Sequence, residues 1–200
     1  MSVFVKICGI TSLEDALQAV EAGADALGFN FWPGSPRYIA PAAARVITDA
    51  LAGRVLCVGV FVDANAAHVR EVVEVAGLDV AQLHGLPVEL DGLRLWQAWS
   101  AASEGLRERI EAGGAEAYLI DTPSGALRGG TGKTFDWSLA MNLPGRIVLA
   151  GGLGPENVAE AIEQVRPWGV DACSRLELAP GRKDHGKVSS FLAAVRQTRL

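Results

Sequence analysis

Eight short apolar runs recur along the 200-residue chain, and this repetition limits the possible folds more than any other feature. Each run is continuous, rich in aliphatic residues and followed by a polar residue or glycine, which is typical of strands buried on both faces of a parallel sheet. We therefore predict eight parallel strands. They occupy Phe4–Cys8, Ala26–Phe29, Val55–Val60, Val80–Leu83, Leu93–Gln97, Ala117–Ile120, Ile147–Ala150 and Gly169–Ala172.

Amphipathic helical patterns lie between these runs. Four segments carry apolar residues at positions i, i+3, i+4 and i+7, a spacing that places them on one face of a helix. These segments begin at Leu13, Val69, Val158 and Val188, and weaker patterns cover 42–51 and 102–111.

Capping residues mark several helix starts. Thr11 and Glu14 form a capping-box pattern before the first helix. Pro41 and Pro155 suit the first turns of two later helices, because proline at that position loses no helical hydrogen bond. Asp63 is expected to cap the third helix.

Eight strand–helix units in succession predict an α/β fold of one domain, a (β/α)8 TIM barrel spanning residues 1–200. The fourth crossover is the weak point, since only residues 84–92 separate two strands and a parallel crossover usually takes about a dozen residues. The helices after the fourth and sixth strands are therefore expected to be short, near 87–90 and 136–141. An open doubly wound sheet is the alternative architecture.

Composition excludes several classes of protein. Half of the residues are hydrophobic and 20% are charged, which fits a packed core and not a disordered chain. The net charge of −5 argues against nucleic acid or an anionic membrane as a partner. No apolar run approaches the ~18 residues of a membrane span, and no signal peptide is recognisable. Three separated cysteines without metal-ligand spacing fit a reducing compartment, so we expect a cytoplasmic protein without a metal site.

Polar residues follow the predicted strands, at the end of a barrel where active sites lie. Two acid–base candidates, an imidazole and an arginine on one rim favour proton-transfer chemistry on an anionic, phosphorylated small molecule. Each residue also has a structural interpretation: Cys8 as a core thiol, Asp121 as a turn residue, and the others as loop or capping groups. The rim residues are Cys8, the segment Asn30–Arg37, Asp63, His84, Gln97 and Asp121.

The loops after the last two strands predict a phosphate site. Glycine lets backbone N–H groups approach phosphate oxygens, and a helix N-terminus favours an anion. The segment Gly151–Gly154 precedes a predicted helix, and Ser174 offers a further backbone amide. Arg175 either reaches the phosphate through charge-assisted bonds or points into solvent. The expected phosphate-binding residues are Gly151, Gly152, Ser174 and Arg175.

Six motifs resemble those of the phosphoribosylanthranilate isomerase family of tryptophan biosynthesis. They occur in the family order between residue 4 and about residue 187, so the resemblance covers nearly the whole chain. The motifs are Lys6–Thr11, Ser35–Arg37, Val58–Phe61, Gln82–Gly85, Gly129–Gly132 with Phe135–Trp137, and Leu149–Leu153.

This resemblance implies an Amadori rearrangement of an aminoaldose, N-(5-phosphoribosyl)anthranilate, into an aminoketose. Asp121 would be the general acid that protonates the furanose ring oxygen, and Cys8 the general base that removes the C2′ proton. Arg37 would hold the anthranilate carboxylate. No cofactor is implied, and a monomer or a homodimer would serve. The remaining expected substrate contacts are His84, Asp171 and Gly130.

One segment departs from the family. Where the family reads Asp-Val-Ser-Ser-Gly-Val-Glu after the last strand, this chain has Cys173 for the first serine and Arg175 for the glycine. The change concerns the phosphate site and not the acid–base chemistry.

Two alternative functions are a barrel that binds a phosphorylated metabolite without turnover, and the related dual-substrate isomerase of the histidine and tryptophan pathways. That second activity is associated with an aspartate on strand one, so Cys8 argues against it.

Overall fold

A computed structural model describes residues 2–85, 87–122, 134 and 136–198 of the chain. Eight parallel strands pair in sequence order, and the eighth pairs with the first, so the sheet closes into a barrel. The predicted (β/α)8 barrel is confirmed, and the alternative open sheet is wrong because an open sheet would leave the first and last strands unpaired.

The strands and helices alternate in the predicted order. The barrel strands are β1 (Phe4–Cys8), β2 (Ala26–Asn30), β3 (Leu56–Val62), β4 (Val80–His84), β5 (Arg94–Ser100), β6 (Ala117–Asp121), β7 (Ile147–Leu149) and β8 (Gly169–Ala172). The described α-helices are α1 (Leu13–Ala22), α2 (Pro41–Leu51), α3 (Ala66–Ala76), α4 (Leu106–Glu111), α5 (Val158–Val165) and α6 (His185–Gln197).

Alternation along each strand divides the core into two parts, because successive side chains point to opposite faces of a sheet. One part fills the space between the barrel and its helices and includes Val5 and Ile7 of β1. The other lies inside the barrel, where Trp96 is fully buried against Phe4 and Trp168. This aromatic cluster fills the N-terminal end of the barrel and leaves its C-terminal end for polar groups.

Several helix starts differ from the prediction by one or two residues. Ser12, not Thr11, caps α1, since its side chain accepts from the Asp15 N–H. Asn65, not Asp63, caps α3 by accepting from the His68 N–H. Pro41 does lie in the first turn of α2.

The described parts of the crossovers after the fourth and sixth strands contain no α-helix. Residues 87–93 contain no helix, so the short helix predicted near 87–90 is absent from the described chain, because too few residues separate β4 from β5. Leu90 of this segment is buried in the hydrophobic core. In the part of the sixth crossover that the structure describes, Trp137–Ala140 forms a 3-10 turn within the short helix predicted near 136–141. Pro155 lies before α5, which begins only at Val158.

The chain adds a small hairpin after β8. A 3-10 turn (Ser174–Leu176) leads into β9 (Glu177–Ala179), which pairs antiparallel with β10 (Arg182–Lys183). The hairpin packs beside α1, where the Thr11 hydroxyl donates to the Gly181 carbonyl. Among the described residues, no helix is both long and apolar enough to cross a lipid bilayer.

Candidate active site

A cavity of about 270 Å³ opens at the C-terminal ends of the barrel strands. Most of the residues predicted for the site line this cavity. Gly130 lies outside the described residues, and Arg175 is not among the described residues that line the cavity. The lining residues that the sequence predicted are Cys8, Arg37, His84, Asp121, Gly151, Gly152, Asp171 and Ser174.

Strand alternation explains which side chains reach the cavity. On β1, Cys8 shares the inward face with Lys6, two residues earlier. Asp121 occupies the last inward position of β6, above Leu119. Gln97 was expected on this rim, but it lies in the middle of β5 on the outer face, where its amide donates to the carbonyl groups of Leu83 and Gly85. That expectation is wrong because β5 runs on to Ser100.

Asp121 lies in surroundings that favour a neutral carboxyl group. Burial raises its pKa to about 6, against an opposing hydrogen bond from the backbone of Thr122. That N–H donates to Asp121 Oδ1 over 2.7 Å. The negative charge of Asp171 raises the pKa further. A carboxyl group with a pKa near neutrality can act as a proton donor.

Cys8 lies in surroundings that favour a thiolate. The neighbouring Cys173 thiol lowers the pKa of Cys8 to about 7, against the opposing effect of burial. The ammonium of Lys6 lowers the pKa further. A thiol that ionises near neutral pH can accept a proton from carbon. Gly28 on β2 leaves room for the sulfur, since a Cβ there would lie 2.7 Å from Cys8 Sγ.

Lys6 and Asp171 form a buried ion pair below the cavity, which the sequence analysis did not identify. Lys6 Nζ lies 3.0 Å from Asp171 Oδ1, and the lysine side chain is fully buried. Burial would lower the pKa of Lys6, but Asp171 and Cys8 outweigh it and raise the pKa above its usual value. The pair therefore fixes a positive charge beside Cys8.

A second buried network lies beside the cavity and was also missed. Arg37 donates through Nε and Nη2 to both carboxylate oxygens of Glu177, over 2.8 to 3.1 Å. Lys183 Nζ, also fully buried, lies 3.0 Å from Glu177 Oε1. Burial opposes ionisation of Glu177, but its bonds to Arg37 and Lys183 outweigh burial and lower its pKa. Arg37 is thus held at the rim by a carboxylate.

His84 ends β4 and pairs with a neighbour on the same face. The Gln82 side-chain nitrogen and His84 Nε2 are 3.0 Å apart, and both residues line the cavity. A hydrogen bond between the two side chains therefore orients the imidazole at the rim, and its direction depends on the tautomer of the ring.

The glycine loop after β7 approaches the acid closely. Gly151 has a φ of +87°, and a Cβ there would lie 2.7 Å from the Thr122 nitrogen and 2.8 Å from Asp121 Oδ1. Only glycine therefore fits over this carboxyl group. Asn157 fixes the loop, because it accepts from the Gly154 N–H and donates to the Gly152 carbonyl.

Arg175 turns towards the surface. Its Nη1 donates to Glu156, a residue in the loop before α5, and the side chains of both are substantially exposed. Ser174 and the two glycines Gly151 and Gly152 line the cavity on the same side. Within residues 2–85, 87–122, 134 and 136–198, no group of three potential ligands is arranged to hold a metal ion.

Comparison with known proteins points to one family. The family model described as N-(5'phosphoribosyl)anthranilate (PRA) isomerase matches residues 5–194. The N-(5'-phosphoribosyl)anthranilate isomerase of Solibacter usitatus is 47% identical over 197 residues, which cover 97% of this chain and 98% of that protein.

Solved structures agree with the sequence comparison. Phosphoribosyl anthranilate isomerase from Thermus thermophilus superimposes with a TM-score of 0.89 at 39% identity, over 98% of this chain and all of that chain. A second crystal structure of such an isomerase holds reduced 1-(o-carboxyphenylamino)-1-deoxyribulose 5-phosphate. It superimposes with a TM-score of 0.82 at 40% identity, over 96% of this chain and 98% of that one.

Proposed function

This chain belongs to the N-(5'-phosphoribosyl)anthranilate isomerase family, and from that premise we propose how its residues carry out the isomerase reaction of tryptophan biosynthesis. The substrate is a phosphorylated small molecule, and the reaction turns an aminoaldose into an aminoketose. One observation carries the proposal: a carboxyl group with a raised pKa and a thiol with a lowered pKa line the same cavity.

Asp121 acts as the general acid. It donates its proton to the furanose ring oxygen, the C1′–O bond breaks, and the ring opens to a protonated Schiff base. The proton must be present before the step, which a pKa of about 6 allows for part of the enzyme at neutral pH. Transfer leaves a carboxylate near Asp171, and the ammonium of Lys6 offsets that second negative charge.

Cys8 acts as the general base. The positively charged imine acidifies the C2′ hydrogen, the thiolate removes it, and the electron pair of the C–H bond moves to give a neutral enolamine. The enolamine then tautomerises to the aminoketose, losing its hydroxyl proton at C2′ and gaining one at C1′. The positive charge of Lys6 beside the sulfur stabilises the Cys8 thiolate before this step.

Arg37 binds the carboxylate of the anthranilate ring. A guanidinium has five N–H donors, and the bonds to Glu177 engage the Nε and Nη2 groups. The Nη1 edge can therefore meet a second carboxylate while Glu177 holds the plane of the group. His84, at the end of β4, and Asp171, on β8, both line the cavity and contact the ribose portion of the substrate.

The phosphate binds at the opposite side of the cavity, against the backbone of Gly151, Gly152 and Ser174. Glycine at the first two positions brings N–H groups within reach of the oxygens. Arg175 serves this site at most indirectly, because its guanidinium is engaged by Glu156.

We further propose a cytoplasmic location and a monomer or homodimer as the working form. The three cysteines are unpaired, as expected in a reducing compartment. Each catalytic group named above comes from one chain, so either assembly state provides a site, and light scattering of the purified protein decides between them.

Kinetic assay of three variants tests the proposed roles. Cys8→Ser and Asp121→Asn should each lower kcat at least ~10²-fold, the usual contribution of a positioned proton-transfer group. Cys57→Ala is the matched control, because Cys57 is a buried thiol on β3 that lies outside the cavity lining. Turnover of freshly generated substrate is followed by the loss of anthranilate fluorescence. A kcat equal to that of the control in either variant would remove that residue from the mechanism.

A further inference from the structure

The arginine proposed for the substrate carboxylate already has a carboxylate partner inside the protein. Arg37 is bonded through two nitrogens to Glu177, whose side chain is only 4% exposed. Two opposite unit charges in contact have no net charge, so the pair attracts a further carboxylate weakly, and Glu177 repels it. Tight binding of a second carboxylate therefore requires another positive charge beside the pair.

Lys183 places such a charge on the far side of Glu177. The two residues are paired across the hairpin, Glu177 on β9 and Lys183 on β10. Lys183 Nζ lies 3.0 Å from Glu177 Oε1, an oxygen that also accepts from Arg37 Nε. The backbone N–H of Lys183 donates to Asp15 Oδ2 over 3.0 Å, which fixes this strand against α1.

The Lys183 ammonium is enclosed by protein and does not face the substrate. Its side chain is fully buried, and Lys183 is not among the described residues that line the cavity. An ammonium has three N–H donors, and three acceptors surround this one. They are Glu177 Oε1, the Cys173 carbonyl at 3.4 Å and Cys173 Sγ at 3.8 Å. Lys183 can therefore act on the substrate only through its charge and through Glu177.

We propose that Lys183 is a positioning residue that offsets the charge of Glu177, so that Arg37 keeps a net positive charge for the carboxylate of the anthranilate ring. The proposal rests on the role of Arg37 under the proposed function. The three side chains together carry one positive charge, which the substrate carboxylate neutralises. Glu177 can then orient the guanidinium without cancelling its attraction for the substrate.

Calorimetric titration with two matched ligands tests this role. The first is reduced 1-(o-carboxyphenylamino)-1-deoxyribulose 5-phosphate, and the second is the same compound without the ring carboxylate. Lys183→Met should weaken binding of the first ligand roughly tenfold, because a unit charge about 10 Å away has an effect of this order at an effective dielectric constant near 20. The second ligand should bind to the parent chain and to Lys183→Met with equal affinity, since it has no carboxylate to attract.

A second substitution separates the effect of charge from that of shape. Adding Glu177→Gln to Lys183→Met returns the cluster to one positive charge and keeps an amide oxygen that can accept from Arg37. We expect this double variant to bind the carboxylate ligand within about threefold of the parent chain. Arg182→Met is the matched control, because it removes one positive charge from an exposed position on the same strand. Thermal melting of each variant shows that the compared chains are folded.

Three results would overturn the proposal. The first is equal affinity of Lys183→Met and Arg182→Met for the carboxylate ligand. The second is equal weakening of both ligands in Lys183→Met, because a distorted hairpin and not a lost charge would then be the cause. The third is a double variant that binds the carboxylate ligand no more tightly than Lys183→Met does.

Arg37→Ala, titrated with the same two ligands, separates this proposal from the proposed function. A loss confined to the carboxylate ligand in Arg37→Ala, without such a loss in Lys183→Met, would refute the role of Lys183 alone. Unchanged binding of both ligands to Arg37→Ala would refute the proposed role of Arg37 and this proposal with it.

Discussion

Gly151→Ala tests whether the glycine loop holds the acid in place. Alanine at a φ of +87° costs about 1–2 kcal/mol of stability, because an L-residue is strained in the left-handed region. In addition, its Cβ would lie 2.8 Å from Asp121 Oδ1, 2.7 Å from the Thr122 nitrogen and closer still to the Thr122 hydroxyl. Backbone atoms are involved, so the strand end carrying the acid must move.

The expected effect on turnover is large, since a displacement of about 1 Å in a reacting group can lower the rate ~10²-fold. Gly53→Ala is the matched control. Gly53 has a φ of +72°, and nothing lies within 4 Å of a Cβ built there, so this variant has the same backbone strain without the collision.

Urea unfolding and steady-state kinetics of both variants check the argument. We expect similar losses of stability from backbone strain, an additional loss in Gly151→Ala, and a kcat that falls only in Gly151→Ala. A kcat in Gly151→Ala equal to that of Gly53→Ala would refute the reasoning, because the loop would then not position Asp121.

Three further perturbations follow from the site. Asp171→Asn leaves the fully buried Lys6 without its carboxylate and should lower the free energy of unfolding by roughly 3–5 kcal/mol in urea titrations, whereas a loss below about 1 kcal/mol would contradict the ion pair's role. Arg37→Ala should raise KM, by an amount equivalent to roughly 2–5 kcal/mol, with little change in kcat. Unchanged inhibition of that variant by anthranilate-bearing product analogues would show that Arg37 does not bind the carboxylate. Arg175→Gly should change KM less than about threefold at any ionic strength, because an exposed ion pair with Glu156 contributes little. A KM that rises tenfold and loses its salt dependence would instead place Arg175 on the phosphate.

The sequence contains most of what determines the barrel. Continuous apolar runs mark strands that are buried on both faces, and each of the eight predicted runs overlaps an observed strand. The predictions were wrong where they had to place the end of a helix or a strand at a single residue. Ser12 caps α1 in place of Thr11, and β5 continues three residues beyond Gln97, which places Gln97 in the middle of the strand and not at the rim. Its neighbours Trp96 and Ala98 face into the barrel, so the alternation of side chains directs Gln97 outward.

The site residues at strand ends could be predicted from the sequence, whereas the side-chain contacts between the first and last strands could not. Cys8 and Asp121 follow directly from the positions of β1 and β6. The pair of Lys6 and Asp171 joins residues 165 positions apart, and no local pattern reveals that these two residues of β1 and β8 lie side by side. The same closure brings Cys173 to Cys8, although the sequence presents them as distant cysteines.

The central claim is that Asp121 supplies a proton to a reaction that needs Cys8 ionised. Its most direct test is the pH dependence of kcat/KM, measured for the parent chain and for Asp121→Asn. The active form has Asp121 protonated, with a pKa of about 6, and Cys8 ionised, with a pKa of about 7. Those values give a bell centred near pH 6.5, where about one molecule in twenty is in the active form. Activity falls with rising pH as Asp121 loses its proton, and it falls with decreasing pH as Cys8 gains one.

Asparagine does not titrate, so we expect Asp121→Asn to lose the alkaline limb, to keep an acidic limb with its midpoint at the Cys8 pKa of about 7, and to have a much lower plateau. An alkaline decline that persists in this variant would contradict Asp121 as the general acid.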